Sequence, residues 1–109
     1  MISFHTEDVS FKLQDKIKHK QWLQAVAKEE QKKIGELNYV FCSDSYLLEI
    51  NQNYLQHDTY TDIVTFDNSD DPKNIEGDIF ISYDRILDNA QKFGTEESEL
   101  QRVMVHGLL

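Results

Sequence analysis

Residues 61–82 read TDIVTFDNSDDPKNIEGDIFIS, and this stretch decides the fold of the chain. Its two ends, residues 61–66 and 77–82, are rich in β-branched and aromatic residues, which predicts two strands. The segment between them, residues 67–74, holds the only proline of the chain among Asp, Asn and Ser residues, which predicts a loop. The stretch is therefore expected to supply the third and fourth strands of a sheet.

Two further strands and a helix are predicted before this stretch. Residues 2–5 alternate between apolar and polar side chains, and residues 37–42 (LNYVFC) are rich in strand-forming residues. Residues 18–33, between these strands, are rich in the strong helix formers Lys, Gln, Glu and Ala. An apolar stripe runs through this helix at Trp22, Leu23, Val26, Ala27 and Ile34. Gly35 is expected to end the helix in a left-handed conformation.

Three more helices are predicted from the polar residues that precede them. Ser43, Ser82 and Thr95 each stand where a side-chain oxygen can accept a hydrogen bond from the first helical turn. The resulting order is β-α-β-α-β-β-α-α. It predicts one α+β domain spanning residues 1–109, with a four-stranded mixed sheet packed against helices.

Composition narrows the class of protein further. The chain has 109 residues, 39% of them hydrophobic, and a net charge of −9, which is ordinary for a folded domain. No apolar run approaches the ~18 residues of a membrane-spanning helix, so no membrane association is expected. Cys42 is the only cysteine and has no partner for an internal disulfide, which favours the reducing cytoplasm. We expect Cys42 itself to be buried and inert.

The charge is divided unevenly along the chain. Residues 1–35 carry seven Lys and five acidic residues, whereas residues 36–109 carry four basic and fifteen acidic residues. Bulk charge therefore argues against general nucleic-acid binding. Lys12, Lys16 and Lys20 recur every four residues, and two interpretations remain open. They form either a solvated surface or a stripe that faces an anion such as RNA.

The last predicted helix carries a wide apolar face that includes a glycine. Leu100, Val103, Met104, Gly107 and Leu108 follow helical spacing, and the interior Gly107 predicts close approach of another backbone. His106 lies on the flank of this helix together with Arg102. It is either a packed, hydrogen-bonded histidine or a metal ligand, since an imidazole nitrogen can bind zinc.

Taken together and in order, these motifs resemble the YbeY family, the bacterial metal-dependent endoribonucleases of ribosomal RNA maturation. The resemblance covers about residues 38–109. It is carried by Asn51, Tyr54, Asp58, the strand TDIVTF at 61–66, Gly77-Asp78-Ile79, Ser82 and VHGLL at 105–109.

The resemblance implies a zincin-like hydrolase fold and a zinc-dependent, single-strand-specific endoribonuclease. The expected role is 16S rRNA 3′-end maturation and ribosome assembly or quality control, with single-stranded rRNA and the small ribosomal subunit and its proteins as partners. His106 would be the first of three ligands to one zinc ion. The family pattern places the others after Leu109, so the C-terminal helix is expected to be incomplete and the 109-residue chain alone to be inactive. The implied substrate cleft comprises Thr61, Asp62, Thr65, Phe66, Gly77 and Asp78.

One position departs from the family pattern. Leu55 stands where many members have an Arg thought to matter for RNA cleavage, and Leu cannot contact a phosphate. His57 or Lys73 is a conceivable substitute. Two alternative functions follow, namely a non-catalytic ribosome-associated binding module and a zinc-dependent hydrolase of a non-RNA substrate.

For several residues the sequence allows two different roles. Asp62 and Asp78 either orient a ligand histidine and line the cleft, or are ordinary turn residues. Tyr54 and Tyr60 either stack on single-stranded bases or pack against the protein. Thr65 and Phe66 are packing residues or substrate contacts, and no general acid or base is assigned.

Overall fold

A computed structural model describes residues 1–55 and 61–108 of the chain. The elements are β1 (Ile2–Thr6), α1 (Lys16–Glu29), β2 (Lys33–Cys42), α2 (Asp44–Leu55), β3 (Ile63–Asp67), β4 (Asn74–Ser82), α3 (Tyr83–Phe93) and α4 (Glu96–Leu108). Their order confirms the predicted arrangement. No helix within the described ranges is both long and apolar enough to cross a membrane.

The sheet is mixed, as predicted, and its strand order is β1-β2-β4-β3. Strands β1, β2 and β4 run parallel, whereas β3 runs antiparallel to β4 along the edge. The register places Asn38 beside Asp78 and Asp78 opposite Phe66. Parallel neighbours need long crossovers, and the chain supplies them with α1 and with the α2–β3 segment.

The two faces of the sheet are covered differently. One face packs under α1, α3 and α4 and forms the main core, which includes Leu23, Leu37, Tyr39, Phe41, Ile79, Ile81, Ile86, Val103 and Met104. On the other face, Leu47 and Ile50 of α2 pack over Cys42 and Val64. Successive strand residues point to opposite faces, so residues of odd and even number in β4 belong to different cores.

The end of α1 differs from the prediction. Gln31 is the left-handed residue, with φ 59°, and it ends the helix four residues earlier than expected. The Lys32 amide donates to the Ala27 carbonyl at 2.8 Å and the Gln31 amide donates to Lys28 at 2.9 Å, which is a Schellman motif. Gly35 as the helix end was wrong. Gly35 and Ile34 lie in β2, because the backbone from Lys33 onward pairs with β4.

The three predicted helix starts are confirmed. Backbone amides of Tyr46, Arg85 and Ser98 donate to the hydroxyl oxygens of Ser43, Ser82 and Thr95 at 3.1, 3.3 and 3.1 Å, respectively. The observed starts of β3 and β4 differ from the predicted starts by a few residues. β3 begins at Ile63 rather than residue 61, and β4 begins at Asn74, inside the segment predicted as the end of a loop.

Candidate functional site

Helix α4 is held against the sheet by two specific contacts. The Tyr39 hydroxyl donates to the main-chain oxygen of Met104 at 2.9 Å in the buried core. A Cβ at Gly107 would lie 2.6 Å from Ile63 Cδ1 and 2.8 Å from Ile79 Cγ2. The close approach predicted for Gly107 is therefore present, but side chains of β3 and β4 make it instead of another backbone.

His106 lies on α4 beside Gly107 and its side chain is exposed. A hydrolytic zinc site needs about three protein ligands and an open position. Within residues 1–55 and 61–108, no three His, Cys, Asp or Glu side chains come together in a way that could hold a metal ion. The described residues therefore do not by themselves form a complete zinc site.

Part of the predicted cleft comes together beside α4. Thr65, Phe66, Gly77 and Asp78 line a cavity of about 180 Å³ that is also lined by Gly107 and Leu108 at the end of α4, together with the loop after β3. Thr61 and Asp62 do not line this cavity. The structure therefore places four of the six predicted residues at one site, next to the helix that carries His106.

Gly77 and Asp78 are fixed by the strand pairing around this cavity. Gly77 has φ 149°, and a Cβ there would lie 2.0 Å from the Phe66 carbonyl oxygen, so only glycine fits. Asp78 lies inside β4, and its carboxylate accepts a hydrogen bond from Asn38 Nδ2 at 3.0 Å. The interpretation of Asp78 as a turn residue was therefore wrong, because the strand starts at Asn74 rather than Gly77.

Asp62 has a separate position, on the flank of α4. Its main-chain oxygen accepts a hydrogen bond from the Ser82 amide at 3.0 Å. The hydrogen bond between Glu99 and Arg102 is the main cause that raises the pKa of Arg102, and the Asp62 carboxylate raises it further. Arg102 and His106 stand one helical turn apart and share one polar flank of α4, and Asp62 lies near Arg102.

Glu99 is a member of this flank that sequence reasoning missed. It is only 7% exposed, and its carboxylate pairs with Arg102 at 2.9 Å. The signal was present in the sequence as an acidic residue three positions before an Arg on one helix. A buried carboxylate requires such a partner, since an unpaired buried charge is costly.

An aromatic groove lies on the opposite face of the sheet. It has a volume of about 390 Å³ and is lined by Tyr46, Ile50, Tyr54, Phe66, Asn68, Asp78 and Phe80. Phe66 contacts Tyr54 and Phe80 edge-to-face, with ring centroids 5.9 and 5.8 Å apart. Tyr54 is 71% exposed, so it both packs and remains accessible. Tyr60, His57 and Asp58, which the sequence also singled out, lie outside the described residues.

The predicted lysine stripe is divided in the structure. Lys16 and Lys20 lie one turn apart on α1, and Lys12 precedes the helix. Lys12 and Lys16 line a small cavity together with His5, whereas Lys20 does not line it. Whether these lysines contact an anion stays a prediction at this point.

Leu55 and Cys42 occupy positions with little chemistry. Leu55 is the last residue of α2 and is 41% exposed. Cys42 is buried, as predicted. Burial, and to a smaller extent the nearby Asp8 and Asp84 carboxylates, together raise the pKa of the thiol to about 12, so the thiol stays protonated at neutral pH.

Comparison with known proteins places this architecture in a family. A family model described as Endoribonuclease YbeY matches residues 1–109. Endoribonuclease YbeY of Cytophaga hutchinsonii is 53% identical over 109 residues, which cover 99% of this chain and 76% of that protein. Endoribonuclease YbeY of Flavobacterium psychrophilum is 48% identical, with 100% of this chain and 77% of that protein covered.

A solved structure agrees with these sequence relatives. The solution structure of TM1509 from Thermotoga maritima superimposes with a TM-score of 0.68 and 27% identity, and the match covers 98% of this chain and 69% of that one. The shared fold and the match along the whole chain lead to one conclusion. The chain belongs to the YbeY endoribonuclease family.

Proposed function

We propose that this protein is a zinc-dependent endoribonuclease that cuts single-stranded RNA in the cytoplasm. Its proposed substrate is ribosomal RNA, in 16S rRNA 3′-end maturation and ribosome assembly or quality control, with the small ribosomal subunit and its proteins as partners. The observation that supports the proposal best is the exposed His106 on α4, one residue before Gly107, in a member of an endoribonuclease family. Gly107 lines the cavity that Thr65, Phe66, Gly77 and Asp78 also line.

The way α4 is held supports a functional role for this region. The Tyr39–Met104 hydrogen bond and the packing of Gly107 against Ile63 and Ile79 fix the last two turns of the helix relative to β3 and β4. A reaction site requires such rigid support, because small displacements of the participating groups lower the rate strongly. His106 therefore projects from a well-anchored element.

The proposal assigns His106 as one zinc ligand. The other ligands would come from parts of the protein outside residues 1–55 and 61–108, since the described side chains bring no three suitable donors together. What the described residues contribute is an anchored imidazole and a small cavity whose lining includes Asp78, a residue whose carboxylate is held by Asn38.

One observation favours a second candidate function, a non-catalytic module that binds the ribosome. Leu55 offers no charge to a phosphate at the end of α2. This feature is consistent with a domain that contacts ribosomal components without cutting RNA. The two candidate functions make different predictions about metal content.

Metal analysis combined with an RNA cleavage assay tests the proposal. We expect the full-length protein to contain stoichiometric zinc and to cut single-stranded RNA, and we expect His106→Ala to lose both. Gln101→Ala on the same helix serves as the control and should retain both. Zinc without RNA cleavage would favour a hydrolase of another substrate. Absence of both zinc and cleavage, with retained binding to ribosomal subunits, would favour the binding module and contradict the proposal.

A further inference from the structure

A small cavity lies at the β1 edge of the sheet, away from α4 and His106. It has a volume of about 130 Å³. Lys12 and Lys16 line it together with the hydroxyl-bearing Thr6, and Phe11 and Phe41 also contribute to its wall. His5 is a lining residue as well, but its ring lies 3.3 Å from Asn38 Oδ1 and points away from Thr6, its neighbour in β1. No acidic side chain is among the described residues that line it.

The two lysines form no ion pair among the described residues. Ion pairs within residues 1–55 and 61–108 involve Arg85, Lys92 and Arg102, and neither Lys12 nor Lys16 takes part in one there. Lys16 is also the first residue of α1, where the positive end of the helix dipole adds to its charge. The lining of the cavity thus carries two lysine charges and no carboxylate, in a protein whose net charge is −9.

The size of the cavity limits what it can hold. Pockets for drug-sized ligands measure about 300–1,000 Å³, so a cavity of about 130 Å³ accommodates one chemical group rather than a whole nucleotide. A lysine ammonium group binds phosphate as a point charge, and a hydroxyl such as that of Thr6 can donate to a phosphate oxygen. The described chemistry therefore matches a single phosphate group.

We propose that Lys12, Lys16 and Thr6 bind one backbone phosphate of single-stranded RNA. This inference rests on the proposed function, because it names an RNA contact for that activity. β1 and β3 are opposite edges of the sheet, three strand spacings or ~14 Å apart. The phosphate would thus be held at the edge opposite β3, which lets an acidic protein bind RNA through one local contact.

A pair of double variants with equal charge change tests the site in the full chain. Lys12→Gln with Lys16→Gln removes both cavity lysines, whereas Lys18→Gln with Lys28→Gln removes two exposed lysines of α1 that do not line the cavity. Binding of a single-stranded oligouridylate is measured by fluorescence anisotropy over a range of salt concentrations. The binding constant K falls as the salt concentration rises, so the slope of log K against log salt is negative. We expect the magnitude of this slope to decrease by about 0.7 in the first variant only, because one phosphate contact is lost.

Equal losses in both double variants would overturn the site, since they would indicate bulk charge alone. Titration with inorganic phosphate, followed by the amide NMR signals of residues 12–16, distinguishes the two sources of the phosphate. Shifts with the oligouridylate at concentrations where inorganic phosphate produces none support the RNA backbone, and saturation by inorganic phosphate alone would overturn it.

The site and the proposed function can fail separately. If the wild-type protein cuts RNA while the cavity variant binds RNA with an unchanged slope, the phosphate site is refuted and the nuclease function stands. If the magnitude of the salt slope decreases in the cavity variant alone and the wild-type protein does not cut RNA, the phosphate site is supported and the nuclease function is refuted.

Discussion

The hydroxyl of Tyr39 donates a buried hydrogen bond of 2.9 Å to the main-chain oxygen of Met104, 65 residues further along the chain. Tyr39 lies on β2, an interior strand, and Met104 lies two residues before His106 on α4. This one bond therefore links the middle of the sheet to the helix that carries the candidate metal ligand. Burial also raises the pKa of Tyr39, so its hydroxyl keeps its proton across the physiological range.

Tyr39→Phe removes this hydrogen bond and keeps the packing of the ring. We expect a loss of about 1 kcal/mol in the free energy of unfolding, the usual net contribution of one such bond. Urea unfolding measures the change. Tyr54→Phe is the matched control, because Tyr54 is mostly exposed, and it should stay within about 0.5 kcal/mol of the wild type. Equal losses in the two variants would show that the Met104 contact contributes nothing specific.

Gly107→Ala places a methyl group against the sheet. The added Cβ would lie 2.6 Å from Ile63 Cδ1, and overpacking of this kind costs about 1–3 kcal/mol, more than the ~1 kcal/mol gained in helix propensity. We expect a net loss of stability in thermal unfolding. Ile63→Val removes the clashing Cδ1, so the double variant should recover part of the loss. Purely additive effects would contradict this packing account.

Ser82→Ala removes the N-cap of α3 and a second hydrogen bond. The Ser82 hydroxyl accepts from the Arg85 amide and donates to Asp44 Oδ1 at 2.6 Å, and the residue is fully buried. We expect a loss of about 1–2 kcal/mol. Thr95→Ala removes only the exposed cap of α4 and should cost less, and chemical denaturation of the two variants compares them. A larger loss at Thr95 would refute the role of the Asp44 contact.

The buried thiol of Cys42 predicts a loss of stability at alkaline pH. Burial raises its pKa to about 12 in the folded state, while a thiol in the unfolded chain titrates near about 8.5. The stabilisation due to Cys42 is therefore fully present below pH ~8.5 and is lost as the pH rises toward 12, because only the unfolded state releases the proton.

Cys42→Ala tests this pH dependence. We expect the variant to lose less stability between about pH 8 and pH 10 than the wild type, measured by urea unfolding at each pH. The comparison uses the change with pH, since the substitution also leaves a cavity that lowers stability at every pH. Parallel curves for the two proteins would show that another group controls the alkaline loss.

Local chemistry explains which parts of the fold could be predicted. Ser43, Ser82 and Thr95 were identified as helix caps because each acts within one turn of its own helix. Gly35 was wrongly predicted to end α1 for a related reason, because a glycine after a helical segment is also a local signal. The pairing of Lys33 with β4, a contact about 40 residues distant in sequence, overrode that signal and left Gln31 as the left-handed residue.

The candidate site was only partly predictable because its residues come from both faces of the sheet. Thr65 and Phe66 are neighbours in β3, so their side chains must point to opposite faces. Phe66 packs with Phe80 in the aromatic groove, whereas Thr65 pairs with Ile79 on the side of α4. The family motif contains these residues as one consecutive stretch. The alternation of side chains along the strand nevertheless places them on opposite faces of the sheet. The buried Glu99 was missed because its environment depends on tertiary packing.

The strand order has a consequence for synthesis on the ribosome. β2 pairs with β1 early, but its other neighbour, β4, begins 32 residues after β2 ends. During translation the nascent chain therefore displays an apolar strand edge until residues 74–82 have left the exit tunnel. Open edges of this kind promote association between chains. The protein thus depends on timely elongation through β4, and pauses before that point are expected to favour aggregation of the nascent polypeptide.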